Sequence, residues 1–538
     1  MLKCLLILCV LGFGSLYGAV FNPDMAAITA KIKEYAEKYR GVFNTPGLSI
    51  IIVKDGKSSI INLGTLSVND ATPVNDHTLF QVASVTKNFT ATLMARLVEK
   101  GVLSFDDKVS KYLPDFQLSD KTATHDLRIK DLLCHCIGLE DFAGDTLWHG
   151  RLSQEEVLKH MRDLPFKSHF RSTYAYSNIM VGIAGLIIEK VTGKPIDQVM
   201  KEELFTPLGM TESSVGFEGV HTQVSLIDRA VNFLKKTSSQ NKAKPHDLKD
   251  GKPKELDFYK EFYLFPGSSG VNTTPDDMAK WLNFHLNGYQ TFTNPPKTLI
   301  SPEIVKVMRQ SYVDGSEELA GQQFPRERVT HVSLGLGWFM YDYGVGQKRL
   351  NVLEQMGGIT GARALLVIVP SENLGIAVLA NLGGMRASLL PEAIVQKFLD
   401  LYMGIDDTDW AAKIHDKFVK IKNNQKLQLD AMRLKNPEPS APLKTYEGHY
   451  SNPIYGDVDV TTDDQKNLSM LYRGYKIPLK HINGHYFYCS GQDLSEGFSF
   501  DDPCIIEFGV EGSAKTSYGL MISLLDEGDN SAFYRKDQ

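Results

Sequence analysis

"HTLFQVASVTKNFTATLMARLVEKGVLSFDD", residues 77–107, carries Ser84 and Lys87 three positions apart at the head of a segment with apolar residues at Phe89, Leu93, Leu97 and Val98. That spacing predicts a helix from Val85 to Lys100, and residues at i and i+3 share a helix face. A lysine one turn from a serine can make the hydroxyl nucleophilic without a histidine. The free N–H groups at the start of the helix also favour a nearby oxyanion. Further on, "YAYSNIMVGIAGLIIEKVTG" (174–193) sets Tyr176 and Asn178 before a second apolar helical run ending at Gly193. Taken alone the pattern is weak. A helix-start serine, a surface lysine and a core tyrosine satisfy it equally well.

Outward from this segment, "LSIIIVKDGKSSIINLG" (48–64) reads as two strands joined at Asp55-Gly56, a strong hairpin signal. Asn22-Pro23 followed by Met25, Ile28, Ile32, Tyr35 and Tyr39 predicts an amphipathic helix before it. Residues 127–210 read as mainly helical. "ARALLVIVPSENLGIAVLANL" (362–382) returns to two strands, and "LLPEAIVQKFLDLYM" (389–403) closes with a helix. Strands at both ends with helices between them imply an α/β (α+β) fold: a sheet built from distant segments, with a helical region inserted. After residue 405 come a charged helix, "WAAKIHDKFVKIKNNQKLQLDAMRLK" (410–435), and a proline-rich linker, Pro437 to Pro442. Beyond the linker, short β-prone runs alternating with turns predict a small antiparallel barrel.

The chain has 538 residues, 43% hydrophobic residues and a formal charge of −6 with a pI near 6.2. Its length implies at least two folded units, and its acidic balance argues against nucleic acid as a partner. The lysine-rich stretch 235–254 is interspersed with Asp, Ser and Pro and reads as a solvated loop. Lys3, an apolar run from Cys4 to Phe13 and small residues through Ala19 match a secretory signal peptide (residues 1–19), so the expected location is extracellular. No segment is long enough to span a membrane. In an oxidising compartment Cys489 and Cys504 are read as a disulfide pair. Asn88, Asn272 and Asn467 each begin a glycosylation sequon, with Asn88 the doubtful one because it lies on the helix of Ser84. Cys134-His135-Cys136 crowds its ligands without a second cluster, so paired or free thiols are expected rather than a metal site. With no nucleotide or metal fingerprint elsewhere, no cofactor is expected.

The phrases "TPGLSIIIVKDGK" (45–57), "IKDLLCHCIGLED" (129–141), "LFTPLGMTESS" (204–214), "FPGSSGVNTTPDDMAKW" (265–281), "LGLGWFMY" (334–341) and "GGITGARALLVIVP" (357–370) stand in order around the two segments above. In that order the chain resembles the serine β-lactamase-related family of class C β-lactamases, D-alanyl-D-alanine carboxypeptidases, esterases and secreted animal β-lactamase-like proteins. The resemblance covers roughly residues 25 to 400. The tail "YEGHYSNPIYGDVDVTT" (446–462) is similar to the lipocalin-like domain appended to some members.

The resemblance implies a hydrolase domain at 20–405, a helical and proline-rich linker at 406–442 and a lipocalin-like barrel at 443–538. It implies Ser84 as nucleophile and Lys87 as its activator, neutral or sharing a proton, together with a Tyr176 phenol whose pKa must fall. Asn178 would orient Lys87 and the substrate, and the oxyanion hole would be formed by the N–H groups of Ser84 and Ile359. On that strand Met356-Gly357-Gly358 stands where Lys-Thr-Gly or His-x-Gly is expected, so the strand lacks a cation for an anionic substrate. Cys136 and Ile137 also replace the Thr and Ser of a His-Thr-Ser-Gly-Leu phrase. The leading expectation is therefore a secreted acyl-transfer hydrolase for an ester, amide or peptide, and not a true β-lactamase. Two alternatives are a weakly catalytic component of an extracellular matrix, mineralised or not, and, less favoured, a bacterial wall enzyme.

Overall fold

The computed structural model describes residues 23–149, 152–221, 241–315, 327–384, 389–405, 408–432, 438–463, 467–490, 503–510, 516–523 and 532–536. The candidate signal peptide lies outside them. Helix α1 (Met25–Val42) starts at Asp24, whose carboxylate accepts from Ala26 N and Ala27 N, so the cap falls one residue beyond Asn22-Pro23. Strands β1 (Gly47–Lys54) and β2 (Lys57–Gly64) form the expected hairpin. Positive φ at both Asp55 and Gly56 gives the primed turn whose twist matches the strands.

The sheet gains six strands from the far end of the domain: β3 (Val313–Asp314), β4 (Val329–Gly335), β5 (Trp338–Val345), β6 (Lys348–Ile359), β7 (Ala362–Val369) and β8 (Leu374–Ala380). Their order is β2-β1-β8-β7-β6-β5-β4-β3, antiparallel at every pairing. β7 and β8 are buried along their whole length, which explains their unbroken apolar runs. Helix α6 (Leu390–Met403) packs against β7, β8 and α1, and α5 (Pro275–Leu286) packs against β1 and β8. The inserted helical region includes α2 (Thr86–Glu99), α3 (Asp145–His149) and α4 (Asn178–Thr192). β6 is longer than its neighbour: its pairing with β5 ends at Glu354, so Gln355 to Ile359 form an open edge beside the turn bearing Ser84.

Two sequence readings change here. The lysine-rich stretch is packed over residues 242–248 and exposed, as read, at 249–252 and 254. Ala243, Leu248 and Leu256 are buried apolar anchors, His246 and Asp247 are buried with them, and His246 N donates to Gly361 O. The segment from 410 is more than a linker at its start. Helix α7 (Trp410–Met432) buries Trp410, Ala411 and Ile414, and the Trp410 indole donates to Asp400 at 2.7 Å.

The C-terminal unit is a closed barrel of eight strands, β9 (Gly448–Asn452) to β16 (Ala532–Arg535) in sequential order. Its interior holds Tyr446, Tyr450, Phe487 and Phe508, with centroids of neighbouring rings about 5 to 6 Å apart. Between β9 and β10 (Gly456–Thr462), buried Tyr455 meets Thr146 of α3, OH to Oγ1 3.1 Å. Cys489 and Cys504, the pair read as a disulfide, sit directly opposite each other on β13 (Tyr486–Ser490) and β14 (Pro503–Gly509).

Candidate active site

Ser84 sits in a one-turn 3-10 segment, Ala83–Val85, that runs into α2. Ala83 holds φ at 48°, a left-handed value uncommon for a side-chain-bearing residue, and so turns the chain sharply before the serine. Two threonines fix α2 behind it. Thr86 Oγ1 accepts from Val271 N at 2.9 Å, and Thr90 Oγ1 donates to Gly267 O at 2.6 Å. These bonds bring the Pro266–Ser269 turn alongside Lys87.

The Lys87 side chain is fully enclosed and makes three polar contacts: Ser84 Oγ at 2.9 Å, Asn178 Oδ1 at 2.6 Å and Ser268 O at 3.0 Å. Tyr176 OH donates to Ser84 Oγ at 2.8 Å. Asn178 is the first residue of α4, which Ser177 caps, and its amide nitrogen donates to Asp145 Oδ2. The four residues singled out in the sequence therefore form one connected cluster. Asp145 and Ser268, which complete it, had no sequence signal.

Charge states follow from burial. Removal from water lowers the Lys87 ammonium from its ordinary 10.5 to about 7, with Asp145 pulling in the opposite direction. Burial pushes the Tyr176 phenol up, against the lowering effect of its bond to Ser84. This corrects the expectation of a falling tyrosine pKa. The group able to accept the Ser84 proton near neutral pH is the lysine, while Tyr176 keeps its proton and can act as a donor. His135, stacked on Tyr176 at 4.7 Å between centroids, is driven down to about 3 by burial and by Lys87, so it is a neutral spacer.

The strand beside Ser84 is also reassigned. A Cβ on Gly357 would lie 2.2 Å from Val82 O and 3.0 Å from Ser84 N, so this position faces the nucleophile and tolerates only glycine. Alternation puts Gln355 on the same face and Met356 on the opposite one with Gly358, whose Cβ would meet the Arg363 guanidinium at 2.5 Å. The residue facing the site at the expected cation position is therefore Gln355, and not Met356. Gln355 Nε2 donates to Ser84 O and Met356 O, both at 3.1 Å.

Peptide directions alternate as well. The Met356 carbonyl points to the open edge, whereas Ile359 O accepts from Gly384 N at 2.8 Å, away from it. Within an antiparallel strand the N–H and C=O of one residue point the same way. The strand N–H presented at the edge next to Ser84 is thus Gly358's, not Ile359's.

Two sequons are corrected by burial. Asn88 accepts from the Trp281 indole at 3.0 Å, and Asn272 is enclosed among Tyr263, Gly216 and Gly270. Neither can carry a glycan without unpacking the core. Asn467 is exposed. Among the described residues no cluster of three or more His, Cys, Asp or Glu assembles, and no helix is long and apolar enough to cross a membrane. A cavity of about 550 Å³ lined by Trp148, Phe217, Tyr263 and Pro266 includes none of Ser84, Lys87 or Tyr176 and is separate from the cluster.

The family model described as Beta-lactamase matches residues 30–397. The chain belongs to the β-lactamase family. Within this β-lactamase-like serine hydrolase family it is 24% identical over 502 residues to the unguisins hydrolase ungD of Aspergillus violaceofuscus, covering 87% of this chain and 84% of that one. It is 24% identical over 369 residues to penicillin-binding protein 4 of Amycolatopsis lactamdurans, covering 67% and 87% respectively. The octameric penicillin-binding protein homologue from Pyrococcus abyssi shares the fold, with a TM-score of 0.58 and 21% identity over 94% of this chain and all of that one.

Proposed function

We propose that the chain is a secreted serine hydrolase that forms an acyl-enzyme at Ser84 on an ester, amide or peptide substrate. The observation that carries this reading is the enclosed Lys87 in contact with Ser84 Oγ, where burial lowers its ammonium to about 7. Neutral Lys87 takes the hydroxyl proton as Ser84 Oγ attacks the carbonyl carbon. The developing oxyanion lies between the N–H groups of Ser84 and Gly358. Tyr176, hydrogen-bonded to Ser84 Oγ, delivers a proton to the departing group and recovers one from Lys87. Water then releases the acyl group by the same steps in reverse.

Gln355 bears on substrate choice. A neutral amide at the position facing the site offers no charge to a carboxylate, which supports a substrate more neutral than a β-lactam. The similarity to a protein named as a hydrolase over most of both chains supports hydrolysis as the outcome. Incubation with a fluorophosphonate probe is the test. Wild-type protein is expected to label and Ser84→Ala is not; equal labelling of the two overturns the proposal. The alternative role, a matrix component with little catalysis, predicts no Ser84-dependent labelling.

A further inference from the structure

Beside this cluster lie two sulfurs that acyl transfer does not use. Cys134 and Cys136 flank His135, both are buried, and their Sγ atoms stand 3.0 Å apart. Non-bonded carbon atoms usually rest about 3.5–4.0 Å apart, whereas a disulfide bond is about 2.05 Å long. The pair is thus already inside ordinary contact distance, about 1 Å short of a bond. His135 between them holds φ at 55°, the left-handed region, so the chain folds tightly at this point.

The same turn grips the segment that carries Tyr176. His135 O accepts from Ala175 N at 2.8 Å, its Nδ1 accepts from Ser177 N at 3.1 Å, and Cys136 O accepts from Arg171 N at 2.8 Å. The imidazole lies 27° from parallel to the Tyr176 ring. Any movement of the turn therefore reaches the tyrosine through two hydrogen bonds and a ring contact.

We propose that Cys134 and Cys136 are a redox-modification site, closing to a disulfide that displaces the His135 turn and Tyr176 and so slows acylation of Ser84. The rate effect rests on the acyl-transfer reading; formation of the bond does not. The co-reactant is a low-molecular-weight disulfide. One cysteine sulfur attacks it and expels a thiolate, and the second cysteine sulfur attacks the mixed disulfide and expels another. The protein loses two protons and two electrons, and the reagent takes them up to become two thiols. The dithiol form is the competent one, because with the sulfurs unbonded Tyr176 OH already reaches Ser84 Oγ at 2.8 Å. Contact with Cys136 and burial both push the Cys134 thiol up, so closure is slow and proceeds through local opening.

The test treats the full chain with glutathione disulfide or with dithiothreitol, then denatures and alkylates it. Peptide mass spectrometry is expected to find the 134–136 peptide unalkylated and two hydrogens lighter after oxidation. Amide exchange at Ala175 and Ser177 is expected to rise with it. Fluorophosphonate labelling is expected to slow about tenfold, given that displacements near 1 Å can cost up to 100-fold, and to recover with dithiothreitol. Cys134→Ser and Cys136→Ser should each label at a rate independent of redox state. Full alkylation of both cysteines, or bonding of either one to another partner, overturns the site. A bond that forms while exchange and labelling stay unchanged overturns the switch. If wild-type protein labels in neither state, the acyl-transfer reading fails, and mass and exchange alone decide this inference.

Discussion

The rate of Ser84 labelling should follow the titration of Lys87. At its ordinary 10.5 the ammonium would be neutral in about one molecule in 3,000 at pH 7; at about 7, half the molecules carry the free base. Enclosure thus raises the competent population more than a thousandfold, and the lowering from 10.5 to about 7 is itself equivalent to about 5 kcal/mol between the two charge states. Below pH 7 the labelling rate should fall about tenfold per pH unit, and above it the rate should level off. Asp145 holds the lysine pKa up, so Asp145→Asn should move the midpoint down. The substituted amide still offers Asn178 a carbonyl oxygen. The assay is the second-order rate of fluorophosphonate labelling from pH 5 to 9.5, corrected for reagent hydrolysis. A flat profile, a limb centred above pH 9, or an upward shift in Asp145→Asn would refute the assignment of Lys87 as base.

Stability should show the same titration with a definite sign. Because the folded pKa lies below the unfolded one, the unfolded chain binds more protons between pH 7 and 10.5, and stability due to Lys87 rises with pH across that window. Lys87→Met should therefore raise the unfolding free energy, by on the order of 2 kcal/mol at pH 7 and less at pH 10; an unchanged or lowered value at pH 7 counts against an energetically costly lysine. Gly357→Ala should cut labelling at least 100-fold while circular dichroism stays native, because the new methyl displaces the Ser84 turn. Gln355→Ala should slow labelling whereas Met356→Leu should leave it within about twofold; the reverse ranking would restore Met356 to the face of the site. Glycopeptide mapping of protein expressed through a eukaryotic secretory pathway should find Asn467 as the only occupied sequon of the three.

Most of the fold was legible because its signals are local. The Asp55-Gly56 hairpin, the apolar spacing of the Ser84 helix and the buried runs of β7 and β8 each follow from neighbours in sequence. Ser84 and Lys87 are bound together by one helical turn, and Tyr176 and Asn178 by two residues ahead of α4. Failures came where a side chain's role depends on direction. Reading Met356 as the residue facing the site was one position out, and a one-residue slip in a strand exchanges its faces. Asn88 and Asn272 look like surface sequons until the enclosing walls, from residues far away in sequence, are in place.

The sequence by itself therefore determined which residues are the candidates for the chemistry: a serine, its lysine, a tyrosine and an asparagine, in a domain whose sheet is closed by distant segments. Tertiary structure alone decided their charge and company. It removed water from Lys87, brought Asp145 and Ser268 to it, kept the Tyr176 phenol protonated and turned Gly358 rather than Ile359 to the open edge. Desolvation and strand direction are properties of packed surroundings, and only the folded chain supplies those surroundings.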